Sequence, residues 1–410
     1  MNASKCRFCH SPLSINFVDL GLSPLCQNII SLENANNPET FYPLNVFVCE
    51  NCKLVQLDEF VSPSEIFSEY AYFSSYSESL VAHAKKYVGM ITNRIGLTKN
   101  DLVVEIASND GYLLQHFLPS GIPVTGIEPA KNVGAVASKK GIPVVHEFMG
   151  EETARKFLDT KGAASLLLGN NVLAHVPDIN DFVKGMQILL AEKGTITMEF
   201  PHLLRLIEGN QFDTIYHEHF SYLSLLAVEK IFLAHGLTIF DVEELMIHGG
   251  SLRIYAQHSQ TNPRLTESLL KVRVDESAAG FHTMSAYADF GERVKLTKNR
   301  ILIKLIELKS QGKNIVGYGA PGKGNTLLNY CGIRTDYLDY TVDRNTYKQG
   351  TLLPGSRIPV YPVEKISETK PDYLFILPWN LTKEITGQLS YIREWGGKFI
   401  IPIPEVRIIE

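Results

Sequence analysis

The sequence predicts an α/β fold in which a small N-terminal module precedes two doubly wound domains, and three observations carry that reading. Two Cys-x-x-Cys pairs stand within the first 52 residues. From Asp101 onward apolar runs alternate with glycine turns and helical stretches, the pattern of a mostly parallel sheet, and the scheme starts afresh at Asn314. In both rounds the second strand ends in an acid, Glu128 and then Asp343.

Composition sets the outer limits. A chain of 410 residues with 45% hydrophobic content can bury more than one core. No run approaches the ~18 consecutive apolar residues of a membrane span, and Met-Asn-Ala-Ser-Lys-Cys does not read as a signal peptide. A cytoplasmic protein without a membrane partner is therefore expected. The net charge of −5 and the scattered Lys and Arg argue against nucleic acid as a partner.

The module comes first. Cys6-Arg-Phe-Cys9 and Cys49-Glu-Asn-Cys52 each place two sulfurs on one side of a tight turn, and together they supply four thiolates, a closed shell suited to Zn²⁺. In a chain without a secretory signal, zinc is favoured over two disulfides. A closed shell leaves no open coordination position, so the metal is read as structural. The interval between the pairs is long for a zinc ribbon and must carry structure, including the alternating run Leu44–Val48. Cys26 and Cys331 are expected to pack. The zinc-binding domain is assigned to residues 1–70 and is followed by three phenols, Tyr70, Tyr72 and Tyr76, and a helix from about Ser77 to Ile95.

The first sheet follows. Leu102–Ala107 is a buried strand, Ser108-Asn109-Asp110-Gly111 a tight turn, and Tyr112–Phe117 the opening of a helix. Val124–Pro129, Ile142–His146, Ser165–Asn171 and Gly194–Phe200 are the next strands. The second round repeats this: Asn314–Gly324 is strand, glycine turn and helix start, and Leu338–Asp343 is a strand ending in an acid. Spacing is similar too, 23 residues from Glu105 to Glu128 and 26 from Gly317 to Asp343. Two Rossmann-like domains follow, 71–205 and 281–410, in the repeating pattern of a duplication, joined by an active-site segment over 206–280.

That segment holds Tyr216-His217-Glu218-His219-Phe220-Ser221-Tyr222. Imidazole titrates near working pH, a carboxylate can set its tautomer, and a phenol can donate to an oxyanion. If the stretch is helical, Tyr216 and His219 share a face while His217 points elsewhere, which favours His219 as the base.

Strand, glycine turn and a strand-closing acid fit either a dinucleotide or S-adenosylmethionine. Glu105 inside the first strand favours the latter, because a carboxylate welcomes a sulfonium or ammonium group and repels a pyrophosphate. The turn offers Ala107, Asn109 and Gly111 rather than G-x-G-x-x-G. It resembles the first motif of class I S-adenosylmethionine-dependent methyltransferases, E-x-G-x-G-x-G, with two glycines replaced.

The resemblance narrows when the motifs are read in order: the two knuckles, Val103-Val104-Glu105-Ile-Ala-Ser-Asn109-Asp110-Gly111, Asn170-Asn171-Val-Leu-Ala-His175-Val, Glu199-Phe-Pro201, Tyr216-His-Glu218-His219, His248-Gly-Gly-Ser-Leu-Arg253 and Gly317-Tyr-Gly-Ala-Pro-Gly-Lys323-Gly. The set is similar to the sugar C-methyltransferases that act at C-3 of nucleotide-linked 4-keto-6-deoxyhexoses, and it covers essentially the whole chain. The resemblance implies His219 as general base, with Tyr216, Glu218, His175 and Tyr70 around the same chemistry. It implies Glu105, Ala107, Asn109, Asp110, Gly111, Glu128, Pro129, Phe148, Asn170 and Asn171 about S-adenosylmethionine, Glu128 on the ribose and Phe148 near adenine. It places the nucleotide-sugar on Arg253 of the connecting segment and on Gly319, Pro321, Lys323 and Asn325 of the C-terminal domain, and it leans towards a monomer. The chemistry has its own logic, since carbon becomes nucleophilic only after losing a proton that a C-4 ketone acidifies.

Two rivals stand beside this reading. Gly317-x-Gly319-x-x-Gly322 with Asp343 fits an NAD-dependent nucleotide-sugar oxidoreductase. A zinc-knuckle adaptor without catalysis is the third. A catalytic metal on His217 and His219 lacks an H-E-x-x-H pattern, and Lys323 lacks the order of a P-loop.

Overall fold

The computed structural model describes residues 4–62, 65, 73–247 and 249–410. Tyr70, Tyr72 and His248 lie outside the described residues. The chain divides into two compact units, each assembled from distant stretches: Met1–Ile15, Val48–Leu203 and Phe220–Met284 in the first, and Asn16–Phe47, Leu204–His219 and Ser285–Glu410 in the second. The residues assigned by sequence to one zinc-binding domain are thus shared between the units. Among the described residues no helix is long and apolar enough to cross a membrane.

The first unit is built on a seven-stranded sheet. Its parallel strands lie in the order Leu190–Pro201, Ala164–Asn170, Val103–Ile106, Val124–Ile127 and Val144–Val145, which is 5-4-1-2-3 in chain order. The antiparallel strand Ser251–His258 pairs with Leu190–Pro201 and carries Leu237–Leu245 beyond it. Val103, Val104, Leu166, Leu167 and Leu168 are fully buried, as expected of strands covered on both faces. The helix Glu78–Ile95 packs Ala84, Tyr87, Val88 and Ile91 inward; Ser77 caps its start by accepting from Leu80 N, and Gly96 at φ 68° ends it. The helix expected from Tyr112 is instead two 3₁₀ turns, Leu114–His116 and Leu118–Ser120. Pro119 lacks an N–H and disfavours helical backbone in the residue before it, so the α-helix cannot run on.

In the second unit five parallel strands have the same order, 5-4-1-2-3: Lys398–Ile401, Tyr373–Ile376, Ile315–Tyr318, Thr341–Val342 and Pro359–Tyr361. Antiparallel strands close both edges, Arg407–Ile409 on one side, Thr351–Leu352 and then Ile30–Ser31 on the other. This last pairing helps explain why residues 16–47 belong here. Phe17, almost fully buried, stacks on Phe290 with centroids 4.6 Å apart and meets Tyr287 edge-on, and the Arg357 guanidinium binds Glu39 at 2.6 Å.

Candidate functional site

The four cysteines converge within the first unit. Their sulfurs all lie within 4.8 Å of one another, with Cys6–Cys52 and Cys9–Cys49 each 3.5 Å apart. A tetrahedron of Zn–S bonds near 2.3 Å demands sulfurs about 3.8 Å apart, so the donor set fits zinc. The two knuckles are wired alike. His10 N–H donates to Cys6 O and Lys53 N–H to Cys49 O, both at 2.9 Å, and both residues adopt left-handed backbone. Gln56 adds an N–H to the Cys6 sulfur at 3.2 Å.

In the same unit the cofactor candidates gather at the carboxyl ends of the strands, on both sides of the point where chain order reverses, the place where open α/β sheets bind ligands. Ala107 and Asn109 stand where the family motif has glycine, and both hold the left-handed backbone that glycine adopts freely, at φ 55° and 50°. The loop keeps its shape at a cost in strain. Gly111 is left-handed at φ 76°, and a Cβ there would crowd Ile142 Cδ1 at 2.5 Å and Ala137 Cβ at 3.1 Å. The Glu128 carboxylate accepts from Asn109 N and Ala130 N, each at 2.9 Å, while burial raises its pKa. Glu105 is buried, and its Oε2 has no protein partner among the described residues. Burial, then the charges of Glu128 and Asp110, holds its pKa well above the carboxylate range. Three acids, Glu105, Asp110 and Glu128, thus stand around one loop. Asn109 Oδ1 and Asp110 Oδ2 accept the N–H groups of Ser74 and Ser75 at 2.9 and 3.2 Å, tying the start of the following helix to the loop. Asn170 and Asn171 end the fourth strand, Asn171 left-handed at φ 55°. Pro129 follows Glu128, Phe148 is exposed beyond the third strand, and His175, half-buried, closes the 3₁₀ turn Leu173–His175.

Tyr216, His217, Glu218 and His219 belong to the second unit. They form a turn, not a helix, closed by His219 N–H donating to Tyr216 O at 2.9 Å. The turn still brings the outer pair together, the Tyr216 and His219 rings lying 4.0 Å apart. His219 Nδ1 is 2.8 Å from the Thr214 carbonyl oxygen. A carbonyl only accepts, so Nδ1 carries the proton and Nε2 the lone pair. His217 is turned inward, its Nε2 3.1 Å from Pro43 O, and burial lowers its pKa. Glu218 is buried against the Cys26 sulfur at 3.5 Å, and that desolvation pushes its pKa up to about 7.

Nearby in the same unit Gly319 is left-handed at φ 88° and Pro321 caps the helix Gly322–Cys331. Lys323 Nζ donates to Asn380 at 3.0 Å and lies 4.8 Å over the Trp379 ring, whose N–H donates to Asp213 at 2.6 Å. Asp213 is fully buried, and desolvation raises its pKa to about 6. Asn325 is buried with Nδ2 on Cys26 O at 2.6 Å. Asp213, Trp379 and Asn380 were missed by sequence reasoning. Asp213 left a trace, as an acid between Phe212 and Thr214 ahead of the histidine turn.

One expected residue does other work. Arg253 was expected at the nucleotide-sugar, yet it is buried in the first unit with Nη2 2.7 Å from Glu199 and Nη1 2.6 Å from Glu243, over the Tyr87 ring. Glu199 lies opposite it across the paired strands, so the guanidinium neutralises a buried carboxylate instead of awaiting a phosphate.

A model described as "Putative zinc binding domain" matches residues 6–67, one described as methyltransferase domain matches 80–242, and one described as C-methyltransferase C-terminal domain matches 246–404. The C-methyltransferase NovU of Streptomyces niveus is 36% identical over 405 residues, spanning 99% of this chain and 96% of that one. The chain belongs to the C-methyltransferase family. Among solved structures, an S-adenosylmethionine-dependent methyltransferase from Clostridium acetobutylicum is 12% identical with a TM-score of 0.35, covering 42% of this chain and 90% of that one. Magnesium protoporphyrin IX methyltransferase of Synechocystis is 13% identical with a TM-score of 0.33, covering 44% and 81%. As a C-methyltransferase the chain uses S-adenosylmethionine, and its four-cysteine module is a zinc-binding domain.

Proposed function

We propose that this C-methyltransferase methylates C-3 of a nucleotide-linked 4-keto-6-deoxyhexose, in the making of a branched-chain deoxysugar. His219 is the general base, the domain over 71–205 holds S-adenosylmethionine, and the domain over 281–410 holds the nucleotide-sugar. The observation that carries the reading is the tautomer of His219: with Nδ1–H spent on the Thr214 carbonyl, Nε2 is the basic atom, beside the Tyr216 ring. The full-length likeness to NovU, a C-methyltransferase, supports carbon as the methyl acceptor.

Bound S-adenosylmethionine supplies an electrophilic methyl group. Nε2 of His219 removes the C-3 proton, which the C-4 ketone makes acidic, and Tyr216 donates to the enolate oxygen. General-base assistance contributes ~10²–10⁴-fold, the rest coming from donors fixed in advance and from orientation. Glu105 meets the cofactor's cationic end and Glu128 its ribose. Near pH 7 a carboxyl such as Glu218, with its pKa at about 7, is poised to exchange a proton.

Deuterium exchange separates the base from the transfer. In D₂O with S-adenosylhomocysteine bound, the protein should wash out the C-3 hydrogen of a 4-keto-6-deoxy nucleotide-sugar without methylating it. His219→Ala should abolish exchange and turnover while leaving S-adenosylhomocysteine affinity within about twofold. Exchange at an undiminished rate in that variant would remove His219 as the base.

A further inference from the structure

The two sheets share more than strand order. In the first unit Ala107, the residue after the first strand, donates its N–H to Ile127 O at 2.8 Å, and Ile127 precedes the acid Glu128. In the second unit Gly319, the residue after the first strand, donates to Val342 O at 2.7 Å, and Val342 precedes the acid Asp343. Both leading residues are left-handed, at φ 55° and 88°. Each acid sends its own N–H to the third strand, Glu128 to Val145 O at 2.9 Å and Asp343 to Tyr361 O at 3.0 Å. Each carboxylate then takes one N–H from the residue two places on, Ala130 at 2.9 Å and Asn345 at 2.8 Å, and one from the glycine-type loop, Asn109 at 2.9 Å and Ala320 at 2.6 Å.

Such wiring fixes a carboxylate at the carboxyl edge of a parallel sheet, where it can accept hydroxyl protons from a ribose. The pairing also locates the difference between the sites. Ala107 matches Gly319, so Glu105 matches Gly317, where a Cβ would fall 2.7 Å from Thr341 Oγ1 and no acid can stand. The first loop is ringed by three acids. Lys323, in the first turn of the ten-residue helix Gly322–Cys331, and that helix's N-terminus give the second loop the opposite sign.

We propose that Asp343 holds the ribose of a second nucleoside, the nucleoside diphosphate of the sugar substrate, as the counterpart of Glu128 on S-adenosylmethionine, and that the exchange of Glu105 for Gly317 suits the second site to an anionic diphosphate. The inference rests on the nucleotide-sugar reading and adds the residue that recognises its nucleoside. Asp343 is half-exposed, which leaves it reachable.

The test is calorimetric titration of the full chain with guanosine, uridine and thymidine diphosphates and, separately, with S-adenosylhomocysteine. Charge-assisted hydrogen bonds are strong enough that Asp343→Asn should weaken the preferred nucleoside diphosphate about 10-fold or more and leave S-adenosylhomocysteine within about twofold. Glu128→Gln should do the reverse. Unchanged S-adenosylhomocysteine affinity shows that the Asp343 variant is folded, and Asp343→Glu, which keeps the charge, should recover part of the loss. If the wild type binds a diphosphate and Asp343→Asn binds it equally well, the assignment fails while the nucleotide-sugar reading stands. If the wild type binds none of the three, both fail.

Discussion

Glu218→Gln separates a buried acid's stability cost from its chemistry, and its size follows from the structure. Glu218 is buried beside the Cys26 thiol, and desolvation lifts its pKa from 4.5 to about 7. A carboxyl whose folded pKa lies above its unfolded value contributes stability that is complete below the unfolded pKa and is lost as pH rises through the folded one. Here the window runs from 4.5 to about 7. At about 1.4 kcal/mol per pH unit the full loss is about 3 kcal/mol, and most of it falls between pH 5 and 8.5. Glutamine keeps the shape and an oxygen to accept from Cys26, but it never ionises. The variant should therefore match the wild type within about 1 kcal/mol at pH 5 and exceed it by about 2–3 kcal/mol at pH 8.5. Urea unfolding read by tryptophan fluorescence suits the question, because both tryptophans of the chain, Trp379 and Trp395, lie in the unit that contains Glu218. An equal stability difference at the two pH values would refute the buried-acid account, and a variant less stable at pH 8.5 would reverse its sign.

Two further outcomes are expected. Stripping zinc with a strong chelator should unfold the cysteine module and lower the thermal transition of the first unit, since a structural zinc site supplies folding free energy on the order of 10 kcal/mol; a lost rate with an unchanged melting profile would make the metal catalytic instead. Arg253→Ala should cost about 3–5 kcal/mol of stability by leaving the buried Glu199 carboxylate with His83 as its remaining partner, with the KM for the nucleotide-sugar unchanged in the surviving folded protein. A selective rise in KM without destabilisation would restore Arg253 as a phosphate ligand.

The sequence by itself determined those features whose physics is local. Two Cys-x-x-Cys turns bring sulfurs together whatever surrounds them. Valine-rich runs followed by glycine-type turns make buried parallel strands, and the acids Glu128 and Asp343 were legible because they close those strands. The helix Glu78–Ile95 could be read from its Ser77 cap and apolar spacing. Local rules were weaker where two backbones would serve. Tyr216–His219 reads as one helical turn, yet an isolated turn lacks the length to sustain a helix, and a single hydrogen bond from His219 N–H to Tyr216 O pairs the same two side chains. Ala107 and Asn109 stand at motif positions that hold glycine, but only the folded backbone shows that they keep glycine's left-handed conformation.

Tertiary structure alone decided the partners of charged and long-range groups. Arg253 faces Glu199 because two strands pair antiparallel in one register, which places opposite charges side by side out of water. Asp213 acquires Trp379 and Lys323 across more than a hundred residues of chain, and residues 16–47 leave their neighbours in sequence to seat Phe17 on Phe290. Such contacts depend on which surfaces folding brings together, and no local pattern encodes that choice. The matched wiring of Glu128 and Asp343 lies between the two cases: strand spacing in the sequence hinted at it, but only the folded backbone shows that each carboxylate takes one N–H from two residues on and one from the loop after the first strand.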